Sequence, residues 1–414
     1  MPDAPNSATL IERARRLRPL VLEQAPDTEA RTYYSQEIHA AFEEAGFYRM
    51  LVPRRYGGFE TDLETFYRVI IEIARGDVST GWCLCLASSH AKNVGTVFGE
   101  RAQDEVFGDG DFRCPAVAAP AGRALRTAGG WEIAGTWAYC SGAPYATHYL
   151  GQTFVAPAEP GGPPGRMLLF IVPREQWTML DDWGTTLGLR GSGSHSIRID
   201  RARVAEHLVL QNHWLVDSDP SGNPGYGIHG NPLYAGRTLA IFQAGLAALA
   251  IGGARGMLDC YEQQIRHRNT QRPPIRPRFK DPDYQLWYGR AIGRVAAAEA
   301  ALIGLLRVHG ELCRRSVEDG IPYTREDDLR LNAVAREALT VAWTAVQDDL
   351  FRTGGSSAAA AGQPFERIYR DLSMDWGHFG NTLRDWTARE LAHEHLGLVQ
   401  GAALKPDRVH TAAR

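Results

Sequence analysis

A histidine and an aspartate near the end of this 414-residue chain have a spacing that could serve one chemical site. His378 follows Asp371 by seven residues, which is close to two helical turns, so an unbroken helix would place both on one face. Upstream, Gly354 and Gly355 let the backbone approach a flat or phosphorylated group. Histidine can donate or accept a hydrogen bond near pH 7. The segment therefore predicts a pocket in which His378 acts on a bound group.

The elements that must position these side chains change type twice along the chain. Apolar residues first recur at helical spacing, then short alternating runs separated by Gly and Pro take over, and long helical patterns return. The sequence therefore predicts an α+β protein. Its predicted parts are an N-terminal α-helical domain at 1–111, a central antiparallel β domain at 112–217, a linker at 218–232 and a C-terminal four-helix bundle at 233–414.

The predicted boundaries within these parts follow from local signals. Hairpin turns are expected at 128–130 and 160–165, where Gly and Pro separate alternating runs. The longest apolar stretch, Leu239 to Ala254, is shorter than the roughly 20 residues that cross a bilayer, so it predicts a buried core helix. The four long helices are expected at 233–268, 282–319, 325–352 and 364–398.

Composition narrows the class of protein. A net charge of −3 argues against nucleic acid as the main partner. The N-terminus has no apolar segment typical of a signal peptide, and the six cysteines are scattered, so we expect a cytoplasmic protein with reduced thiols and no membrane partner. The sequence contains no Walker loop, no GxGxxG of the Rossmann βαβ type and no HExxH, so we expect neither a dinucleotide fold nor a metal.

Four segments, in order, resemble the acyl-CoA dehydrogenase superfamily over nearly the whole chain. They are VPRRYGG (52–58), GGWEIAGTWAYCSGA (129–143), WGTTLGLRGSGSHSI (183–197) and GGSSAAAAGQPFERIYRD (354–371). Within the superfamily, the chain looks most like the oxygenase components of two-component flavin-dependent monooxygenases, the branch of p-hydroxyphenylacetate hydroxylase and dibenzothiophene monooxygenase. The resemblance implies reduced flavin (FMNH2 or FADH2) from a separate flavin reductase, O2 as co-substrate, and a flavin C4a-hydroperoxide that oxygenates a small aromatic or polycyclic substrate.

A missing carboxylate favours this branch over the dehydrogenases. Relatives that oxidise acyl thioesters remove a proton with a carboxylate base, and by resemblance one base position is Phe379 here. The other lies in the first long C-terminal helix, but 220–258 contains no Asp or Glu. His378 stands next to the first vacant position. Three alternatives stay open: N- or S-oxygenation, an acyl-CoA dehydrogenase-like FAD enzyme with a relocated base, and a non-catalytic flavin-binding descendant.

The resemblance implies three catalytic candidates. His378 would hold the oxygen adduct of the flavin, Ser141 would lie near flavin N5 or the substrate, and His90 would line the substrate side. Each has a structural alternative: a histidine bonded to its own backbone, a turn serine and a helix-capping histidine. His195, after the Gly-Ser-Gly-Ser loop, is expected to point outward along a strand.

Further residues are implied in cofactor binding. Trp137 precedes the Ser141 loop on the flavin-side strand, and Trp183 and Ser192 would contact the flavin ring and phosphate region, with core packing as the alternative for Trp183. Arg266 or Arg268 would bind flavin phosphate across a subunit boundary of a homotetramer, because guanidinium contacts phosphate with two N–H groups. Either arginine could instead be a solvated helix-end charge.

Overall fold

Two helical regions enclose a pair of β-sheets in the computed structural model. The structure describes residues 4–108, 110–157, 159 and 162–398. The tip of the second predicted hairpin, at 160–161, and the end of the predicted C-terminal domain after 398 lie outside these residues. The α+β class and the order of helices, antiparallel sheets and helices are confirmed.

The N-terminal helices begin and end where side chains satisfy their free backbone groups. Asp62 accepts a hydrogen bond from the backbone N–H of Thr65 and so starts the third helix, while Gly46 ends the second with a φ of 79°. Asp77 starts the fourth helix in the same way. These helices are α1 (Ser7–Arg31), α2 (Gln36–Ala45), α3 (Leu63–Gly76), α4 (Val78–Val97) and α5 (Glu100–Phe107).

Two antiparallel sheets form the middle of the chain. Their strands are β1 (Arg123–Thr127), β2 (Gly130–Trp137), β3 (His148–Phe154), β4 (Met167–Pro173), β5 (Thr178–Met179), β6 (Ile197–Ala205) and β7 (Val209–Gln211). One sheet has the order β1-β2-β6-β5 and the other β3-β4-β7. The predicted hairpin at 128–130 is confirmed, since β1 and β2 pair on either side of that turn. The β2–β6 pair brings two distant loops together at one end of the sheet.

The C-terminal helices follow the prediction closely until the last one. They are α6 (Gly225–His229), α7 (Leu239–His267), α8 (Pro282–Glu318), α9 (Arg325–Thr344), α10 (Arg352–Gly354), α11 (Pro364–Trp376), α12 (Phe379–Thr382) and α13 (Arg384–His395). A π-helical stretch at Ala345–Phe351 joins α9 to α10. The predicted boundaries of the three domains and the linker remain predictions, although the linker at 218–232 contains α6.

The prediction of one helix over 364–398 was wrong. The helix ends at Trp376 because glycine at 377 is a poor helix former and His378 has extended backbone angles, φ −64° and ψ 148°. The side chain of Asn381 donates to the carbonyl of Asp375 at 2.7 Å and so satisfies the broken end. Asp371 and His378 therefore do not share a helix face.

Helix α7 runs through the centre of the molecule. It packs against α3, α8 and α9, and it approaches α3 so closely that a Cβ on Gly252 would lie 2.6 Å from the Cβ of Ala74. Among the described residues, α7 is the one helix long and apolar enough to cross a membrane, but 83% of its apolar window is buried in the protein. The predicted core helix is confirmed.

Candidate functional site

A chain of buried hydroxyl groups lies where α4 meets the β2–β6 end of the sheet. The indole N–H of Trp82 donates to Ser141 Oγ at 3.0 Å. Ser141 Oγ lies 2.7 Å from Ser194 Oγ, which lies 2.7 Å from Ser192 Oγ. Ser141 follows β2 and the other two serines precede β6, so the pairing of these strands brings them together. The chain can present hydroxyl groups to the polar edge of a bound ring.

His378 lies against the same end of α4. Its ring is 5.3 Å from that of Trp82, edge to face, and 6.4 Å from that of Phe242. Its Nδ1 accepts the backbone N–H of Gly380 at 3.0 Å, so the neutral ring carries its proton on Nε2. Burial lowers the pKa of His378 to about 4. The residue therefore offers an uncharged N–H donor near pH 7.

Asp371 holds a loop instead of facing a ligand. Its carboxylate accepts from the backbone N–H of Leu189 at 2.6 Å and from Ser79 Oγ at 3.1 Å. The neighbouring Arg370 donates to the carbonyl of Leu187 at 3.0 Å. A Cβ on Gly188 would lie 2.1 Å from the Arg370 carbonyl oxygen, so glycine is required for this approach. Helix α11 thus positions the loop that carries Ser192.

A small cavity lies between α3, α4 and α7, and Phe242, the neighbour of His378, is one of its lining residues. It measures about 40 Å³. His90 reaches it, with 7% of its surface exposed, and its Nδ1 lies 2.8 Å from the Cys114 carbonyl oxygen. Burial lowers the pKa of His90. The cavity is lined by Leu51, Leu63, Tyr67, Cys85, Leu86, Ser89, His90, Lys92, Asn93, Leu215, Thr238, Ile241, Phe242 and Gly245.

The two tryptophans predicted to bind the cofactor, Trp137 and Trp183, differ in their burial. Trp137 is 1% exposed, and its indole N–H donates to the carbonyl of Gln152 at 2.8 Å. It is a core residue between the sheets, and its expected contact with a cofactor stays a prediction. Trp183 is partly exposed and donates to the carbonyl of Leu189 at 2.9 Å, so its ring stays beside the loop of the hydroxyl chain.

The expectation that His195 points outward was wrong. Its side chain is fully buried, and its Nε2 lies 2.8 Å from Thr32 Oγ1. The alternation of the strand does not begin until Ile197, so His195 belongs to the preceding loop and packs against the end of α1.

The two candidate phosphate-binding arginines also differ. Arg268 donates to the Ser357 hydroxyl and lines an open groove of about 250 Å³. Gln264 lines the same groove, and its Oε1 has no hydrogen-bond partner among the described residues. Arg266 is exposed and pairs with Glu262 at 2.6 Å. Arg268 is therefore the arginine that faces a space in which an anion can bind.

The hydroxyl chain and the groove cannot hold one flavin within one chain. Phe242, beside His378, and Arg268 are 26 residues apart on or at the end of α7, which corresponds to about 39 Å of helix. This exceeds the length of a flavin nucleotide. Each of the two places nevertheless fits part of a flavin. The hydroxyl chain supplies hydroxyl and indole groups, and the groove supplies the guanidinium group of Arg268. Among the described residues, no group of three His, Cys, Asp or Glu side chains could hold a metal.

Comparisons with known proteins show which families the chain is similar to. The model of the acyl-CoA dehydrogenase N-terminal domain matches residues 9–107, and that of the C-terminal domain matches 244–382. The oxygenase subunit of a flavin-dependent monooxygenase from Rhodococcus jostii (strain RHA1) is 28% identical over 90% of this chain and 94% of its own. The oxygenase component of an FADH(2)-dependent resorcinol hydroxylase from Rhizobium sp. (strain MTP-10005) is 27% identical over 86% and 88%. The crystal structure of 3-HSA hydroxylase from Rhodococcus sp. RHA1 is 26% identical, covers 95% and 98%, and superposes with a TM-score of 0.84.

Proposed function

Because this chain belongs to the acyl-CoA dehydrogenase superfamily and is the oxygenase component of a flavin-dependent monooxygenase, we propose how its own residues carry the reaction. The enzyme takes reduced flavin from a separate reductase, and the flavin, when bound, activates O2 so that one oxygen atom enters an aromatic compound. Ser141 and its hydroxyl chain would hold the polar edge of a bound flavin ring. His378 would donate its Nε2–H to the oxygen, and His90 would lie on the substrate side.

One observation supports oxygenation over proton removal. Of the residues that line the cavity, none is Asp or Glu, whereas Lys92 and His90 are present. In the dehydrogenases that the chain resembles, the base that takes a proton from an acyl thioester is an ionised carboxylate at the substrate. The nearest acid in sequence to His378 is Asp375, which is 1% exposed and does not line the cavity. Burial raises its pKa well above the usual range, which disfavours the ionised form that a base requires.

The same proposal includes a homotetramer in the cytoplasm, in which Arg268 binds the phosphate of a neighbouring chain's flavin. The two half-sites are separated by about 39 Å along α7, so each flavin requires a second chain. A face of α8 is free to pair with it. Leu286 and Val308 are 59% and 48% exposed there, and a Cβ on Gly289, Gly293 or Gly304 would meet no atom within 4 Å.

The proposed function is tested by mixing the protein with reduced FMN or FAD and then with air. We expect the protein to slow the release of hydrogen peroxide relative to free flavin, because a dry site protects activated oxygen. Peroxide release at the rate of free flavin would indicate a non-catalytic flavin-binding protein. A preparation with tightly bound oxidised FAD that an acyl-CoA bleaches would indicate a dehydrogenase.

A further inference from the structure

An open groove of about 430 Å³ lies beside the small cavity. It runs between the start of α3, the turn at Pro232–Ala235 and the last turns of α8. Among the described residues, Leu63 is the one that lines both the groove and the cavity. It is the first residue of α3 and is 5% exposed. At this point a single side chain therefore separates the two spaces.

The side chain of Lys92 forms a second part of this wall. Lys92 lines the cavity, and its Nζ donates to the carbonyl of Gly236 at 3.5 Å. Gly236 lies against two residues that line the groove, since a Cβ on it would be 2.5 Å from Cys313 Sγ and 2.8 Å from His309 Nε2. The amine end of Lys92 therefore lies towards the groove. Burial lowers the pKa of Lys92, which reduces the cost of keeping its amine inside this wall.

This part of the wall can open more easily than the part beside it. Tyr67, one turn after Leu63, is 2% exposed and donates its hydroxyl to the carbonyl of Ile241 at 2.9 Å. Leu63 has no polar group to hold it, and the hydrogen bond of Lys92 is at the limit of the usual distance. A change of rotamer at these two residues would join the groove to the cavity without a movement of the helices.

The groove suits an uncharged ring compound. Leu63, Pro232, Leu233 and Leu306 give it apolar surface. The charged residues that line it are each bonded to another group of the protein, so they do not select an ion. They are Glu60, Asp62, Glu64, Arg307, Arg314 and Glu318.

We propose that this groove is the entrance chamber in which the substrate first binds, and that Leu63 and the amine end of Lys92 form the gate to the cavity. The inference rests on the proposed function, which makes the cavity the substrate side. The groove has the volume of a small-molecule site, whereas the cavity of about 40 Å³ holds only a few water molecules. His90 and Phe242 line the cavity beyond the gate, so a molecule that passes Leu63 reaches them.

The thiol of Cys85 reports on this passage, because it lines the cavity and is 1% exposed. The flavin-free protein is treated with methyl methanethiosulfonate, a small uncharged reagent, and modification of Cys85 is followed by tandem mass spectrometry. We expect Leu63→Ala to raise the rate about tenfold or more, and Leu63→Trp to lower it by a similar factor, since this side chain sets the barrier to entry. Burial raises the pKa of the Cys85 thiol, but the same thiol is compared in every variant.

Leu51→Ala is the matched control, because it removes the same atoms from a cavity residue that does not line the groove. It should leave the rate at Cys85 nearly unchanged. Each rate is divided by that of Cys140, which is buried in the β region, so that a general loosening of the protein cancels. Equal rates in Leu51→Ala and Leu63→Ala would overturn the inference, as would an absence of modification in Leu63→Ala.

A second variant closes the groove from outside. Leu233 lines the groove but not the cavity and is half-buried, so Leu233→Trp should fill the groove and slow the modification of Cys85. An unchanged rate in this variant would overturn the inference even if the Leu63 variants do not fold. The measurement needs neither flavin nor substrate, so its failure would leave the proposed function, which the peroxide measurement tests, unaffected.

Discussion

The imidazole of His378 is tied to its own backbone and is still available for chemistry. The bond from the Gly380 N–H occupies Nδ1 and so directs the proton to Nε2. The residue type, its place next to Phe379 and the family resemblance led to the prediction of a catalytic role for His378. Its geometry was not predictable in the same way, because the shared face with Asp371 depended on a helix that Gly377 interrupts. The capping role and the free donor follow from that interruption.

Two substitutions of His378 distinguish the role of its Nε2 from that of its Nδ1. A glutamine side chain in its place would present an N–H near the position of Nε2, whereas an asparagine side chain would present an acceptor near Nδ1 and keep the cap. We therefore expect His378→Asn to raise the peroxide released per flavin oxidised by about tenfold, the equivalent of one lost hydrogen bond to the oxygen. His378→Gln should retain most of the coupling. Both are measured by peroxide yield with a fixed amount of reduced flavin.

The pH dependence provides a check on the same donor. Because burial lowers the pKa of His378 to about 4, its ring is neutral in the folded state between pH 6 and 8. Titration of His378 should therefore not change the peroxide yield of the wild-type enzyme in this range. The unfolded ring binds a proton more readily, so its contribution to stability is lost as pH falls from about 6.5 towards 4. This loss should be absent in His378→Gln.

At the scale of elements, α11 and the loop at 183–192 form one unit. The sequence marks both as segments that resemble the flavin-binding parts of a family, but their contact is between residues 182 positions apart, Leu189 and Asp371. Local spacing does not contain such a pairing. The same applies to Trp82 and Ser194, which the sequence analysis missed. Ser194 repeats the Gly-Ser step of Ser192, and this repeat was the available signal.

Substitution of Asp371 should loosen this unit. In Asp371→Ala, the N–H of Leu189 and the hydroxyl of Ser79 lose their acceptor, so we expect a loss of about 1–3 kcal/mol in the free energy of unfolding and weaker binding of reduced flavin. Asp371→Asn keeps one acceptor oxygen and should bind flavin nearly as the wild type does. Equal flavin affinities for the Ala and Asn variants would contradict the positioning role.

The pH dependence of stability should also differ between these variants. Burial, and then the nearby Asp77, raise the pKa of Asp371 above its usual range. A carboxyl whose pKa is raised in the folded state stabilises below the unfolded pKa, near 4, and this contribution is lost as pH rises through the folded pKa. Asp371→Asn should therefore gain stability relative to the wild type between pH 5 and 8. Chemical denaturation at several pH values measures the difference.

At the scale of the whole molecule, periodicity predicted most of the elements and their order. Helical spacing marked the N-terminal region as helical and located α7 to α9, and alternation located the β region, because these patterns reflect one buried face. A residue that is buried on every side leaves no such periodic pattern in the sequence. His195 is enclosed by elements distant in sequence, which is why a side chain expected to point outward proved to be packed inside the protein.

The last prediction concerns how two chains share a site. Arg268→Ala should weaken binding of reduced flavin by about tenfold or more, because it removes charged hydrogen bonds to phosphate. Arg266→Ala is the matched control, since that arginine pairs with Glu262 on the exposed helix face, and it should leave the affinity unchanged. Light scattering checks that both variants keep the oligomeric state of the wild type.

Mixed oligomers then show whether the phosphate group and the ring are held by different chains. Chains with Arg268→Ala are co-expressed with chains carrying His378→Asn, each with its own affinity tag, and the hybrids are purified through both tags. If Arg268 serves the flavin of its neighbour, a symmetric pair contains one site with both native residues and one with neither, so coupling should return in about half of the sites. If both residues served the same flavin within one chain, every site in the hybrid would lack one of them, and the hybrid would be no better coupled than its parents.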